Sequence, residues 1–309
     1  MASKELVLVT GGSGFIGSWC LLYVLQQGYR ARTTVRSLGR ADEVRQLLVN
    51  GGVAQAQADA VEFVAADLKS DKEGTLRVLR AAKTAGVRRV VITSSFAACG
   101  YGHPPQDAPF TELDWTDLSG RAVPAYQKSK TIAERAAWDF IKTEGGDMEL
   151  TTVNPVGVLG PVLGKSAGTS VEIVVKMLTG GLPFVPKLSV GWVDVRDVAD
   201  LHIKAMLSPQ AAGERYMAFS GQATLREIAA AVKAGLGDEA NKVSLREVPN
   251  FIIKLAAYVD SGAALISGEV DHVKTASSAK AKTTLGWQPK TPDEAAVATA
   301  RSCIQYGLA

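Results

Sequence analysis

Tyr126 and Lys130, in the run Tyr126-Gln127-Lys128-Ser129-Lys130, are the pair in this chain best suited to redox chemistry on a carbonyl or an alcohol. Residues four apart on a helix lie one above the other on a single face, so a phenol and an ammonium at this spacing can address one ligand. A free phenol loses its proton near pH ~10, and a fixed cation beside it favours the phenolate, which lets a tyrosine serve as acid and base near neutrality. Any Tyr and Lys so spaced on an amphipathic helix would look the same, so the pair needs support from elsewhere in the chain.

That support stands at the chain start. Leu6-Val7-Leu8-Val9 is a short apolar run suited to a buried parallel strand, and it leads through Thr10-Gly11-Gly12-Ser13-Gly14-Phe15-Ile16-Gly17 into a helical stretch. Strand, glycine turn and helix are the context in which such glycines hold a dinucleotide: they allow the tight turn and the approach of a pyrophosphate, and the helix N-terminus offers unpaired N–H groups and a favourable dipole. The second strand, around Ala31 to Val35, should end beside the adenosine ribose, roughly 20 residues beyond the turn. The residue there is Arg36. A carboxylate would accept from the ribose 2′-hydroxyl and repel a phosphate, whereas a guanidinium fork suits a 2′-phosphate, so the pattern favours NADP over NAD. Arg40 is near enough to assist, or is a solvated charge at a helix start.

Alternating strand and helix signals in the first half imply an α/β fold, a Rossmann-type doubly wound parallel sheet. Strands are expected at Leu6 to Val9, Ala31 to Val35, Val61 to Val64, Val90 to Thr93 and Leu150 to Asn154, with helices over Thr75 to Ala85 and Thr131 to Thr143. From Gly157 onward glycines and prolines mark loops around short elements. The expected division is a dinucleotide-binding domain over 1–157, to which 190–208 returns, and a smaller C-terminal substrate lobe over 158–189 and 209–309.

The chain has 309 residues, 47% apolar and 21% charged, ordinary globular values that can fill a substantial core. A dispersed net charge of +3 gives no support to a nucleic-acid or membrane partner. Cys20, Cys99 and Cys303 show no metal or disulfide spacing and read as reduced thiols, and the start carries no secretory pattern, so a cytoplasmic monomer or homodimer without a metal is expected.

Taken in order, Thr10 to Gly17, Val35-Arg36-Ser37, Asp67-Leu68, Glu73-Gly74-Thr75, Thr93-Ser94-Ser95, Tyr126-x-x-x-Lys130, Asn154 to Pro161 and Leu285-Gly286-Trp287 make the chain resemble the extended short-chain dehydrogenase/reductase family, in its dihydroflavonol-reductase and aldehyde-reductase branch. The resemblance covers nearly the whole chain. It implies that Ser95, with Ser94 as the alternate, hydrogen-bonds a substrate carbonyl. Tyr126 would deliver the proton, and Lys130 would bridge the nicotinamide ribose hydroxyls and favour the ionised phenol. NADP (NADPH) would contact Gly11, Gly14, Phe15, Ile16, Gly17, Arg36, Arg40, Asp67, Leu68, Tyr126 and Lys130. Pro155 and Val158 would lie on the nicotinamide, and Ser170 would reach the phosphates. From sequence alone Asp67 would be a helix cap.

One departure matters. Where the family runs through a further helix, a central strand and a substrate-side loop, Asp71 here meets Lys72 directly. An empty slot in a buried parallel sheet would leave two rows of ladder groups unmet, so the alternatives are a rearranged fold or a gap in the chain at this junction, and the gap is the expectation.

The implied activity is reduction of a small aldehyde or ketone. Phe96, Tyr101, Val156, Leu163 and Phe184 are candidate pocket walls or ordinary core. The motif of the cinnamoyl-thioester reductases is absent, with Pro124-Ala125-Tyr126-Gln127 in its place, which disfavours thioester reduction. A sugar-nucleotide epimerase or dehydratase, which would need basic residues for a diphosphate, and a non-catalytic NADP sensor, which would not need Tyr126 and Lys130, remain as alternatives.

Overall fold

The computed structural model describes residues 5–67, 71–120, 123–166, 168–256 and 273–309. In the first half, strands and helices alternate: β1 (Leu6–Val9), α1 (Phe15–Gln26), β2 (Arg30–Val35), α2 (Ala41–Asn50), the short α3 (Gln55–Asp59), β3 (Glu62–Ala65), α4 (Asp71–Thr84), β4 (Arg89–Thr93), α5 (Ala125–Thr143) and β5 (Glu149–Pro155). The five strands fall within one residue of their expected limits. Both helices begin earlier than expected, because their first turns are polar and apolar periodicity is silent there. For α5, extended backbone at Pro124 (φ −66°, ψ 161°) sets the start and puts Tyr126 in the first turn.

The strands do not form one sheet. β1, β2 and β3 pair in parallel in that order, and β4 pairs in parallel with β5, which pairs in parallel with β9 (Arg215–Ala218). Among the described residues no strand pairs with the outer side of β1 or of β4. Exposure follows: Leu6 and Leu8 of β1 are 38% and 49% exposed, whereas the last six residues of β5, bonded on both sides, are buried. Glu5 and Arg88, which precede the two bare strands, form an exposed ion pair 3.0 Å long across the mouth of this seam.

Asp71 and Lys72 are consecutive residues of α4, with nothing between them at the junction where a gap is expected. The rearranged alternative is the one observed. The chain passes from β3 to α4 through residues 66–70, too few for a further strand and crossover, and the sheet is left in two parts. They are joined by α7 (Val195–Leu207), whose Val195, Ala199 and Ile203 share a core with Leu21, Leu22 and Leu25 of α1, while its Val198 and Leu201 pack with Val153 of β5.

A third sheet, also three-stranded, contains β6 (Gly157–Leu159), β8 (Ser189–Asp194) and β10 (Gly221–Thr224), and a two-stranded one pairs β7 (Val185–Pro186) with β11 (Glu247–Val248). The core of the third sheet brings Trp192 against α6 (Thr169–Thr179), α8 (Leu225–Leu236) and α11 (Pro292–Gln305), with α8 and α11 each opened by a Thr–Glu capping box. Two placements differ from the expected lobes. Residues 190–194 lie in the third sheet and only α7 returns to the first half, and 215–218 complete the β4–β5 sheet. Between α9 (Asn250–Ala256) and α11, α10 (Ala279–Leu285) ends at left-handed Gly286 (φ 59°), which turns buried Trp287 inward so that its Nε1 donates to Asp197 O of α7 (2.9 Å).

Candidate active site

The glycine turn is shaped by steric necessity. Gly11 has φ 71°, Gly14 N donates to Gly11 O (2.9 Å), and a Cβ on Gly17 would lie 2.3 Å from Gly11 O. α1 then starts at Phe15 with no side-chain cap and no acidic residue in its first turn, so its N–H groups remain available to an anion. The N-terminus of α6 meets this turn: Ser166 Oγ donates to Ser13 O (3.0 Å), and Gly168, the residue before α6, lies so close to the Phe15 ring that a Cβ there would be 3.1 Å from it. Ser170 stands in the first turn of α6.

Arg36 and Asp67 follow the carboxyl ends of the paired strands β2 and β3, where Val35 is the partner of Ala65, and both are exposed. Arg40 is engaged by Glu43 through two hydrogen bonds of 2.8 Å; this exposed pair is weak enough to exchange for a phosphate. Leu68 lies outside the described residues.

At the other half-sheet, Tyr126 and Lys130 share a face of α5, with Lys130 Nζ 5.6 Å from the centre of the Tyr126 ring. Tyr126 is 57% exposed, and Lys130 lines a cleft with Thr75, Thr93, Ser94 and Glu134 on the open side of β4. Ser95 lies two residues past the end of β4 and caps the short 3₁₀ turn Phe96–Ala98, its Oγ accepting from Ala97 N (3.1 Å). Accepting uses a lone pair and leaves the O–H hydrogen to donate, so capping and carbonyl recognition are compatible. Ser94 differs: its hydroxyl donates to the Glu134 carboxylate. Thr131 Oγ1 donates to Gln127 O (2.7 Å) and reaches Ala97 O (3.4 Å), seating α5 against the turn that follows Ser95. Pro155, at the end of β5, is buried, and Val158 of β6 and Ile16 of α1 both pack against the core that holds Val153 and Val193.

Of the candidate walls, Phe96, Tyr101 and Val156 gather with Phe110, Met217 and Phe219 in one aromatic cluster beside Ser95. Leu163 instead packs into the core with α1 and α2, and Phe184 is half exposed.

Sequence reasoning missed the polar residues behind Ser95, although Glu134 stands one helical turn past Lys130 and the same spacing could have flagged it. It missed His202 too. Nδ1 of His202 donates to Val198 O (2.8 Å), so Nε2 accepts from Thr93 Oγ1 (2.8 Å), the residue next to Ser94. Burial pushes the His202 ring from 6.5 down to about 4. The folded state thus refuses a proton that the unfolded chain accepts; this contribution is fully present above pH 6.5 and is lost as pH falls toward 4. Chemical denaturation at pH 7 and pH ~4.5 should show a loss of up to ~3 kcal/mol from this group, and His202→Asn should flatten that part of the profile.

The sequence pattern of the NAD dependent epimerase/dehydratase family matches residues 7–218, from the first residues of β1 through β9. The chain belongs to that family. The curated relatives of this family member include cinnamoyl-CoA reductase CAD2 of Medicago truncatula, 35% identical over 253 residues, covering 69% of this chain and 76% of the relative. Dihydroflavonol 4-reductase of Zea mays is 31% identical over 270 residues, covering 75% and 74%. In fold, the chain is similar to the yeast methylglyoxal/isovaleraldehyde reductase Gre2 complexed with NADPH, with a TM-score of 0.76, 21% identity and coverage of 98% and 99%. The expected family and the Rossmann-type α/β fold are therefore borne out.

Proposed function

We propose that this protein is an NADPH-dependent reductase that converts the carbonyl of small aldehydes or ketones to an alcohol, with Ser95, Tyr126 and Lys130 as its catalytic residues. The observation that carries the reading is the division of labour between the two half-sheets: an uncapped glycine turn and Arg36 at the carboxyl ends of β1 and β2, and the Tyr126–Lys130 face of α5 beside the end of β4. Reductases among the relatives support it.

The residues fit a dinucleotide. Gly11 takes the left-handed turn, Gly14 and Gly17 let the chain close against Gly11 O, Phe15 and Ile16 present the start of α1, and Ser170 stands in the first turn of α6. Arg36 supplies the guanidinium for a 2′-phosphate, with Arg40 and Asp67 nearby, and Pro155 and Val158 form an apolar rest at the end of β5. NADPH supplies the hydride when bound. Negative charge develops on the carbonyl oxygen as the bond order falls, and two fixed hydroxyl donors, Ser95 and Tyr126, stabilise that charge more than they stabilise the neutral ground state. Tyr126 then gives up its proton, and the Lys130 cation stabilises the phenolate left behind.

The aromatic cluster of Phe96, Tyr101 and Phe110 favours an aryl or alkyl carbonyl over a sugar nucleotide. Although a cinnamoyl-CoA reductase is among the relatives, Pro124-Ala125-Tyr126-Gln127 lacks that group's motif, and a thioester is not the proposed substrate.

Following NADPH absorbance with a panel of aldehydes and ketones, with NADH as control, tests the reading: consumption with several carbonyls is expected, and silence across the panel would overturn it. In the same assay Arg36→Asp should weaken NADPH binding at least ~10-fold, the worth of a charge-assisted contact, while NADH binding changes little. Equal losses would make Arg36 an ordinary surface residue.

A further inference from the structure

Behind Ser95 lies a buried polar hub that neither the glycine turn nor the Tyr126–Lys130 pair requires. Its centre is Glu134, whose side chain is fully buried on α5 one turn beyond Lys130. One carboxylate oxygen accepts from Arg215 Nε of β9 (2.7 Å) and Thr152 Oγ1 of β5 (3.1 Å), and the other from Ser94 Oγ and from Asn154 Nδ2 of β5 (2.7 Å). The Asn154 amide also reaches Ser95 O (3.2 Å). Burial pushes the neighbouring Cys99 thiol up to about 12, so the sulfur 3.1 Å from Arg215 Nη2 stays neutral and Glu134 is the anion that balances the guanidinium.

The two groups Glu134 holds on its second oxygen flank Ser95. Ser94 is its chain neighbour, and Asn154 holds its carbonyl. Backbone bonds hold this stretch from one side, Ser94 N donating to Val153 O (2.7 Å) and Ala98 N to Ser95 O (2.9 Å), while β4 has no ladder partner on its outer side among the described residues. Glu134 thus substitutes side-chain hydrogen bonds for the missing constraint and refers Ser95 directly to the helix that bears Tyr126 and Lys130.

Resting on the proposed reduction, we propose that Glu134 is a positioning residue: acting through Ser94 and Asn154, it fixes the Ser95 hydroxyl relative to Tyr126. Its side chain is fully buried, so its part is to place other groups and not to meet the substrate. Glu134→Gln keeps the shape but turns an amide N–H₂ toward groups that are themselves donors, so the hub must open on one side. Catalytic geometry is sensitive to such shifts, a displacement of 1 Å being worth up to ~100-fold in rate.

The test is a double-mutant cycle on kcat, with NADPH Kd measured in parallel. Glu134→Gln should lower kcat ~10- to 100-fold with the Kd for NADPH within about twofold of wild type. In a Ser95→Ala background the same substitution should cost less than about threefold more, since no hydroxyl remains to be misplaced. Losses that multiply, or a Glu134→Gln enzyme with unchanged kcat, would overturn the proposal. If Glu134→Gln fails to fold, Ser94→Ala, which removes one link and leaves the ion pair intact, carries the same cycle: a kcat loss that vanishes without the Ser95 hydroxyl supports the proposal, and multiplying losses or an unchanged kcat overturn it. A wild-type protein that reduces no carbonyl sinks the proposed function instead, so the two failures are distinguishable.

Discussion

Tyr126→Phe should lower turnover with any carbonyl the protein reduces at least ~100-fold, while NADPH affinity changes by less than about twofold. The substitution removes one oxygen and leaves the ring, which lies with Lys130 Nζ 5.6 Å from its centre, so α5 has no reason to move. What is lost is a donor aimed at an oxygen that gains charge and must then take a proton; losing such a donor typically costs ~3 kcal/mol or more of barrier. Tyr126 is more than half exposed, so its absence costs the fold almost nothing, and the loss would appear in kcat without a change in the unfolding midpoint. Near-normal turnover would remove the tyrosine from the chemistry.

The largest effect on stability is expected at Arg215. Its guanidinium donates to the buried Glu134 carboxylate (2.7 Å) and to the carbonyls of Glu112 (2.6 Å) and Asp114 (2.8 Å), and it lies 3.8 Å over the Trp115 ring. Arg215→Met removes the cation but leaves the anion, and a buried charge stripped of its partner costs ~3 to 5 kcal/mol. The denaturant midpoint should fall accordingly at unchanged slope. Adding Glu134→Leu should recover a good part of that loss, because two apolar groups replace an ion pair at far lower cost than one group leaves its partner stranded. If the double variant is the less stable of the two, the network is worth more than desolvation arithmetic allows.

Legibility in the sequence follows the range of the forces involved. Val7 and Val9, or Val90 and Ile92, announce strands because side-chain alternation and apolar runs are local, and Gly11 to Gly17 announce a turn because only glycine fits it. Tyr126 and Lys130 are readable for the same reason, a one-turn spacing. The partnership of Glu134 with Arg215 spans 81 residues and is not readable, since an ion pair between distant elements leaves no periodic trace. Leu163 fits a pocket wall by composition, but apolar character alone does not distinguish a wall from the core in which it packs. At Asp71-Lys72 the family resemblance implies a further helix, strand and loop that this chain does not carry; that the sheet divides there is a property of the assembled whole.

That division reaches into how the molecule should come apart. Among the described residues no backbone ladder crosses between β1 and β4, so the cohesion of the two sides rests on α7 and on contacts such as the Glu5–Arg88 ion pair (3.0 Å). Without ladder coupling, melting can proceed by separate cooperative blocks instead of one all-or-none event. On the proposed reading, phosphates are gripped by one block and the redox ring faces the other. The dinucleotide then acts as a staple, and a saturating excess would fuse two transitions into one.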